Sequence, residues 1–466
     1  MQTKQPQRQQ ANTVIIAGVS VGLALLSASC GGAHTQNVGG SGTSGSVTIE
    51  WSNVNQTIDG FGGAAVDSVA GLPSALADFF FSPSTGIGLS IVRLQVIPDQ
   101  TTCTALCNGA GYVSPCGCVP SSGPTILTGE LQLAQQAQAL GVKTFIASSW
   151  SPPASMKSNG SWLSGGSFIG NSSNYSSLAS LFANYVKLLQ SNGVLLYAFS
   201  PQNEPDISQT YQSCTWTSQQ FHDFLPYLHS AFQTANVGST QIMIPEESGW
   251  DFSYASTAMG DSAVAPDVGI LAGHGYGAPS PSAPASYGLH VWMTEDSGQS
   301  SNYDGSMTDA LGWAQTIHNY LANANANAWV WWFLSDLPKN GGGTDNSALT
   351  DINGNLPLRA YITGNWSKFV RPGWHRVGVS NNGSLLVTAF QSADNDAFAI
   401  VVVNTGSEVS NQVFDVGTQT ATSVVPWITS STLSLAQQTS VTITDGSLTY
   451  TIPASSVVTF AGQSTN

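Results

Sequence analysis

Apolar and polar positions follow two rhythms along this chain. From residue 58 to 366, short β-branched or aromatic runs alternate with stretches of helical period. The runs lie at 58–65, 90–97, 143–149, 194–200, 241–245, 268–273, 289–294 and 328–334, and helix-period stretches between them lie at 130–140, 177–190, 218–233 and 307–322. Strands alternating with helices imply parallel βαβ units, and eight such strands predict an α/β chain closed into a (β/α)8 TIM barrel. The segment is longer than the ~250 residues typical of that fold, so several strand-to-helix loops must be extended. The clearest extension is a cysteine-rich stretch after the second strand.

From residue 367 the helical period vanishes. Runs at 384–390, 397–403, 413–416, 422–427 and 456–460, broken by Gly, Asn and Asp, predict an antiparallel β-sandwich over 367–464. The alternation Ser46-Val47-Thr48-Ile49-Glu50-Trp51 marks one strand in residues 46–57. It precedes the barrel and needs a partner, so it is expected to join the sandwich, with the barrel of residues 58–366 inserted between the two ends of the side domain. Upstream, Lys4 and Arg8 lead into an apolar run at 14–26 followed by small residues, the pattern of a secretion signal over residues 1–30. The run is too short and glycine-bearing for a membrane span. Leu26-Ser27-Ala28-Ser29-Cys30 has the form of a bacterial lipoprotein box, which leaves open lipidation of Cys30 or plain cleavage nearby. Residues 31–45, rich in Gly and Ser, read as a tether.

Composition narrows the partner. The 466 residues exceed one typical core, and only 8% are charged, against about 25% in ordinary domains. The surface must therefore be built from Ser, Thr, Asn, Gln and Gly. A net charge of −15 argues against nucleic acid or an anionic membrane as partner. A neutral, hydroxyl-rich ligand and an extracytoplasmic monomer fit better. Of six Cys, Cys103, Cys107, Cys116 and Cys118 crowd one segment and Cys214 stands apart. A local disulfide knot is expected there, its pairing open, rather than a metal site. No cofactor is implied.

Two apolar strands end in a carboxylate: Leu195-Leu196-Tyr197-Ala198-Phe199-Ser200 runs into Pro201-Gln202-Asn203-Glu204-Pro205, and Leu289-His290-Val291-Trp292-Met293-Thr294 into Glu295. A charge at the tip of a buried strand is costly unless the site uses it. As ends of the fourth and seventh strands, both face the carboxyl-terminal mouth where barrel active sites lie. Two carboxylates across one cleft suit glycoside hydrolysis. Glu246 and Glu247, ending the fifth strand, are rivals with a weaker claim.

Five stretches in order carry a resemblance: Gly60-Phe61-Gly62-Gly63, Trp150-Ser151-Pro152-Pro153-Ala154-Ser155-Met156-Lys157, Gln202-Asn203-Glu204-Pro205, Trp292-Met293-Thr294-Glu295 and Phe369-Val370-Arg371-Pro372-Gly373. Together with Trp427-Ile428-Thr429-Ser430-Ser431, the chain resembles glycoside hydrolase family 30 from about residue 58 to 460, nearest the bacterial xylanase branch. The resemblance implies a retaining mechanism with Glu204 as acid/base and Glu295 as nucleophile. Asn203 is then expected at the sugar 2-hydroxyl. Arg93, a cation inside an apolar strand, is expected to hold Glu295 ionised, the plain alternative being a structural ion pair. Tyr276 is expected to hydrogen-bond the nucleophile, and His274 to be a satisfied histidine of the substrate-binding wall. Trp150 and Trp331 are expected to offer flat faces to sugar rings, with Trp329 and Trp332 assigned to core packing. Asp59 is expected to brace the turn at Gly60.

Glucuronoxylan-specific members of the family carry Arg shortly after the Trp pair; here Ser335 leads the tract Ser335-Asp336-Leu337-Pro338-Lys339. Without that Arg a uronic carboxylate loses its bidentate partner, although Lys339 could restore part of it. The expectation is an endo-β-1,4-xylanase with xylan as partner and no strict need for glucuronic acid. Another activity of the family (β-1,6-galactanase, β-1,6-glucanase or glucosylceramidase) and a non-catalytic carbohydrate-binding surface protein are the alternatives.

Overall fold

A computed structural model describes residues 45–109, 114, 116–337, 345–381, 383–417, 419 and 421–463. The secretion signal, Cys30, most of the tether and Lys339 lie outside the described residues. Strand β1 (Val47–Ile58) comes first. The barrel strands follow: β2 (Gly60–Ala64), β3 (Ile91–Val96), β4 (Thr144–Ser149), β5 (Leu196–Ser200), β6 (Gln241–Glu247), β7 (Ile270–His274), β8 (His290–Asp296) and β9 (Ala328–Trp331). They pair in that order, all parallel, and β9 closes on β2. The eight predicted runs are these eight strands, with ends shifted by at most three residues.

Parallel strands are covered on both faces, so their apolar runs are nearly continuous. Period two still divides them. Ile91, Ile146, Ala198, Met243, Ile270, Trp292 and Val330 pack together as one plug inside the barrel, and the alternate residues meet the helices. Asp59 sits below this plug, where its Oδ2 accepts hydrogen bonds from Trp292 Nε1 and His290 Nδ1, each at 2.6 Å. It braces the barrel floor through those two side chains.

The helices are α1 (Ser74–Phe81), α2 (Gln100–Asn108), α3 (Thr128–Ala139), α4 (Ser172–Ser191), α5 (Ser218–Thr234), α6 (Ser256–Gly260), α7 (Met307–Ala322) and α8 (Leu358–Ser367). In α5 the buried residues Phe221, Phe224, Leu225, Leu228 and Phe232 form one helical stripe, and a capping box of Thr217 and Gln220 sets its start. Sequence periodicity misses α1, α2, α6 and α8, which are short. Asp99 caps α2 by accepting from Thr102 N. Around α2 two disulfides join Cys103 to Cys118 and Cys107 to Cys116, while Cys214 is buried and free. Among the described residues no helix is long and apolar enough to cross a membrane.

The second layer is a ten-stranded sheet built on β1 and on β10 (Trp374–Asn381), β11 (Leu386–Gln391), β12 (Ala397–Asn404), β13 (Val409–Asp415), β14 (Ser423–Thr429), β15 (Ala436–Gln437), β16 (Val441–Thr442), β17 (Ser447–Ile452) and β18 (Ser456–Gln463). Its core includes Val47, Val377, Phe398, Ile400, Phe414, Leu448 and Phe460. Pairing is antiparallel except where β1 runs parallel to β13, at Val47 opposite Phe414. Helix α8 fastens sheet to barrel: Asn365 receives Thr429 Oγ1 at 2.7 Å and donates to Thr459 Oγ1 at 3.0 Å. Arg371 donates to the carbonyls of Ser367 and Gly88, and Phe369 packs on Trp427 at 5.5 Å. The two stretches of likeness around Arg371 and Trp427 therefore serve the seam between layers.

Candidate active site

Above the apolar plug the strand period continues into a charged layer. On β3, Ile91 belongs to the plug and Arg93, two residues on, lies in the layer above. Arg93 is fully buried. Its NH1 donates to Glu295 Oε2 at 2.5 Å, its NH2 to Asn203 Oδ1 at 2.6 Å, and its Nε to Ser148 Oγ at 3.2 Å. The same NH2 lies 3.2 Å from Glu246 Oε1, and the guanidinium stacks over the Trp150 ring at 4.6 Å. Burial opposes the charge of Arg93, yet Glu246 and Glu295 outweigh it and raise its pKa.

His274, ending β7, is equally buried. Its Nδ1 lies 3.1 Å from Glu204 Oε1 and 3.9 Å from Glu295 Oε1, and its Nε2 lies 3.8 Å from Glu246. Burial pulls the imidazole down, but Glu295, the bond to Glu204 and the nearby Glu246 carboxylate outweigh it and raise it to about 9. Burial likewise pushes Glu246 up, but Arg93 and His274 hold it at about 2. Both ring nitrogens therefore carry a proton near neutral pH. Glu246 is the fixed counter-ion beneath the site, and Glu247 turns away. The latter accepts Ser253 Oγ and Tyr254 N, each at 3.0 Å, and burial raises it to about 7.

The two predicted carboxylates meet. One oxygen of Glu204, one of Glu295 and a His274 nitrogen all lie within 4.8 Å of one another. Glu204 holds φ +47 and Glu246 φ +57, in the left-handed region that non-glycine residues rarely occupy, and Glu204 N donates to Glu246 O at 2.9 Å. Irregular pairing of β8 with both neighbours turns Glu295 toward the mouth beside His274. Tyr276 OH donates to Glu295 Oε1 at 2.9 Å. Gln202 Nε2 donates to the Trp150 carbonyl at 2.9 Å, which ties that tryptophan to the strand carrying Glu204.

Beside Glu295 opens a cavity whose walls include Trp150, Trp332, Tyr211, Tyr276, Gln95 and Asp67. Two expectations change here. Trp331 does not face the mouth: it is fully buried, donates from Nε1 to Thr363 Oγ1 at 3.0 Å, and packs on Trp313 at 4.5 Å. Strand alternation is the reason, since Ala328 and Val330 point inward and Trp329 and Trp331 outward. Trp332, just past the end of β9, takes the wall position against Trp150 at 5.7 Å. His274 does not line this cavity either; it sits fully buried among the three carboxylates. Gln95 and Tyr211 go unread in the sequence and Asp67 has no distinguishing context there, although Gln95 could be found by counting two residues on from Arg93. Ser335 bonds Thr350 Oγ1 at 3.1 Å. Asp67, Glu295 and Asp345 line the cavity, with no Lys or Arg among its described lining.

The sequence model of O-Glycosyl hydrolase family 30 matches residues 125–266, a span that includes Trp150 and Glu204. A glucuronoxylanase, XynC of Bacillus subtilis (strain 168), is 28% identical over 432 residues, covering 89% of this chain and 91% of that one. Among solved structures, the glycoside hydrolase family 30 subfamily 8 xylanase Xyn30A from Clostridium acetobutylicum superposes with a TM-score of 0.74 at 29% identity, over 90% of this chain and 100% of that one. A family 30 endoxylanase from Clostridium papyrosolvens C71 gives a TM-score of 0.71 at 27% identity, with the same coverage. In sequence and in fold alike, the chain resembles the xylanases of glycoside hydrolase family 30.

Proposed function

We propose that this protein is an exported, retaining endo-β-1,4-xylanase with no strict need for glucuronic acid side groups. The observation that carries the chemistry is the approach of Glu204 and Glu295 to within 4.8 Å between oxygens. That separation suits direct attack, which needs carboxyl groups about 5–5.5 Å apart, and leaves no room for the water an inverting pair holds across roughly 6.5–9.5 Å. Three carboxylates meet two cations in this layer. Glu246 faces both Arg93 and His274, and Glu295 is bonded by Arg93. Arg93 makes direct ion pairs with Glu295 and Glu246, and Glu204, 3.1 Å from His274 Nδ1, is assigned the proton that is transferred.

Glu295 then attacks the anomeric carbon while Glu204 protonates the leaving oxygen. In the second half Glu204 takes a proton from water as that water displaces Glu295. Arg93 engages the carbonyl of Asn203, which leaves the amino group of Asn203 to donate to the sugar 2-hydroxyl as the oxocarbenium develops. Trp150 and Trp332 offer rings to the bound sugars.

The xylan backbone is supported by the relatives, whose names describe xylanases and a glucuronoxylanase. Independence from the uronic acid is supported by the described cavity lining, which has three carboxylates and no cation, and by Ser335, which is occupied with Thr350. Side-by-side hydrolysis of glucuronoxylan, arabinoxylan, linear xylooligosaccharides and β-1,6-linked glycans tests this. Cleavage of linear xylooligosaccharides is expected. Products set strictly by uronic acid positions would overturn the side-group claim, and turnover of β-1,6-glycans alone would overturn the backbone claim.

A further inference from the structure

The inward face of β3 rises through three levels at period two: Ile91 in the apolar plug, Arg93 in the charged layer, and Gln95 on the wall of the cavity beside Glu295. Gln95 is only 2% exposed, and its Oε1 has no hydrogen-bond partner among the described residues. A buried carbonyl left unpaired is unfavourable, and such groups persist where something else satisfies them.

The residue is held firmly for that purpose. Its backbone N donates to Glu130 Oε2 at 3.0 Å, and its backbone O accepts from Tyr185 OH at 2.9 Å. Both partners are fully buried. Glu130 also accepts from the backbone N of Asp67, at 3.1 Å, so one carboxylate sets both polar walls of the cavity. The backbone is held at both its N–H and its carbonyl, so a shift of the strand gives the buried Oε1 no partner within the protein.

We propose that Gln95 is a specificity-determining residue of this chain: its Oε1 accepts a hydroxyl proton from the neutral pyranose bound beside Glu295. The inference rests on the glycosidase reading above. Its chemistry is selective, because Gln95 lines the same cavity as Asp67 and Glu295. A wall rich in acceptors favours a ligand presenting O–H donors and disfavours one presenting a carboxylate.

The test compares the wild-type protein with Gln95→Met, which keeps length and removes polarity, and Gln95→Asn, which withdraws the carbonyl by one methylene. Initial rates are measured on a linear β-1,4-linked xylose hexamer, together with thermal unfolding of the free proteins. In both variants KM is expected to rise about tenfold, the size of one neutral hydrogen bond, with kcat within about twofold. Free Gln95→Met is expected to unfold at the same or a higher temperature than wild type, because it buries no orphaned carbonyl. A residue that merely supports the fold would show the reverse, lower stability with an unchanged KM, and that result overturns the proposal. Unchanged KM in both variants, with normal wild-type turnover, removes this inference and leaves the glycosidase reading standing. Absence of wild-type turnover on every glycan removes both.

Discussion

The floor and the mouth of the barrel are made by the same eight strands and obey opposite rules. At the floor, Ile91, Ile146, Met243, Ile270 and Trp292 fill the interior with apolar side chains in mutual contact. One layer up, Arg93, His274, Glu204, Glu246 and Glu295 crowd a space almost as dry, every one at most 3% exposed. Burying charges costs several kcal/mol per ion even when they are paired, so the upper layer adds little to folding and the plug and outer shell must carry it. The fold tolerates the arrangement because each ion of the mouth has a rigid partner on another strand of the ring. Strength and chemistry are thus separated by a single step of two residues on β3 and β7, from Ile91 to Arg93 and from Ala272 to His274.

That separation predicts different failures at the two levels. The largest effect is expected from Glu295→Gln, which removes the attacking oxygen and keeps the shape: hydrolysis should fall by about 10⁴-fold or more in initial-rate assays, with the unfolding midpoint in urea nearly unchanged. Loss of stability with activity retained would reverse the comparison. Next comes Arg93→Met, which strands Glu295 and Glu246 without their shared cation. It should cost about 3–5 kcal/mol in urea unfolding and depress turnover as well, so it breaks both levels at once. At the floor, Trp292→Ala should also cost about 3–5 kcal/mol, since it empties a fully buried site and frees Asp59. The protein that remains folded is expected to keep KM close to wild type, and a large change in KM would show that the plug positions the site as well as supporting it.

The smallest effect is a tilt of stability with pH. Glu246 is lowered from 4.5 to about 2 on folding, so its contribution is full above pH 4.5 and is lost as pH falls toward 2. His274 is raised from 6.5 to about 9, so its contribution is full below pH 6.5 and is lost as pH rises toward 9. Glu247, raised from 4.5 to about 7, also loses stability on the alkaline side, between those two values. Thermal midpoints should therefore peak in mildly acid solution, between about pH 4.5 and 6.5 by this linkage. His274→Gln should flatten the alkaline limb and weaken the acid limb, which Arg93 then sustains without the imidazole. A wild-type midpoint still rising at pH 8 would contradict the charge state assigned to His274.

Much of this was legible in one dimension. The eight strands, the helix stripe of α5 and the carboxylates at the tips of β5 and β8 follow from apolar periodicity and from the cost of a charge ending an apolar run. Short elements were not legible. Helix α2 takes its start from the cap at Asp99, and β10 and β17 are only partly apolar, so no strong period marks them. Trp331 and Trp332 stand side by side in the sequence, and nothing there says which one meets the sugar. That depends on the phase of β9, set by Ala328 and Val330 filling the barrel.

The sequence by itself determined the number and kind of elements, the low-charge surface and the two acids, because these rest on properties of single residues and their near neighbours. Only the tertiary structure decided which face of each strand turns inward, how Arg93 and His274 divide three carboxylates between them, and why Gln95 matters. Those outcomes arise when strands distant in the chain close into a ring. Closure brings charges into one dry volume, where each side chain's role depends on what the ring places opposite it.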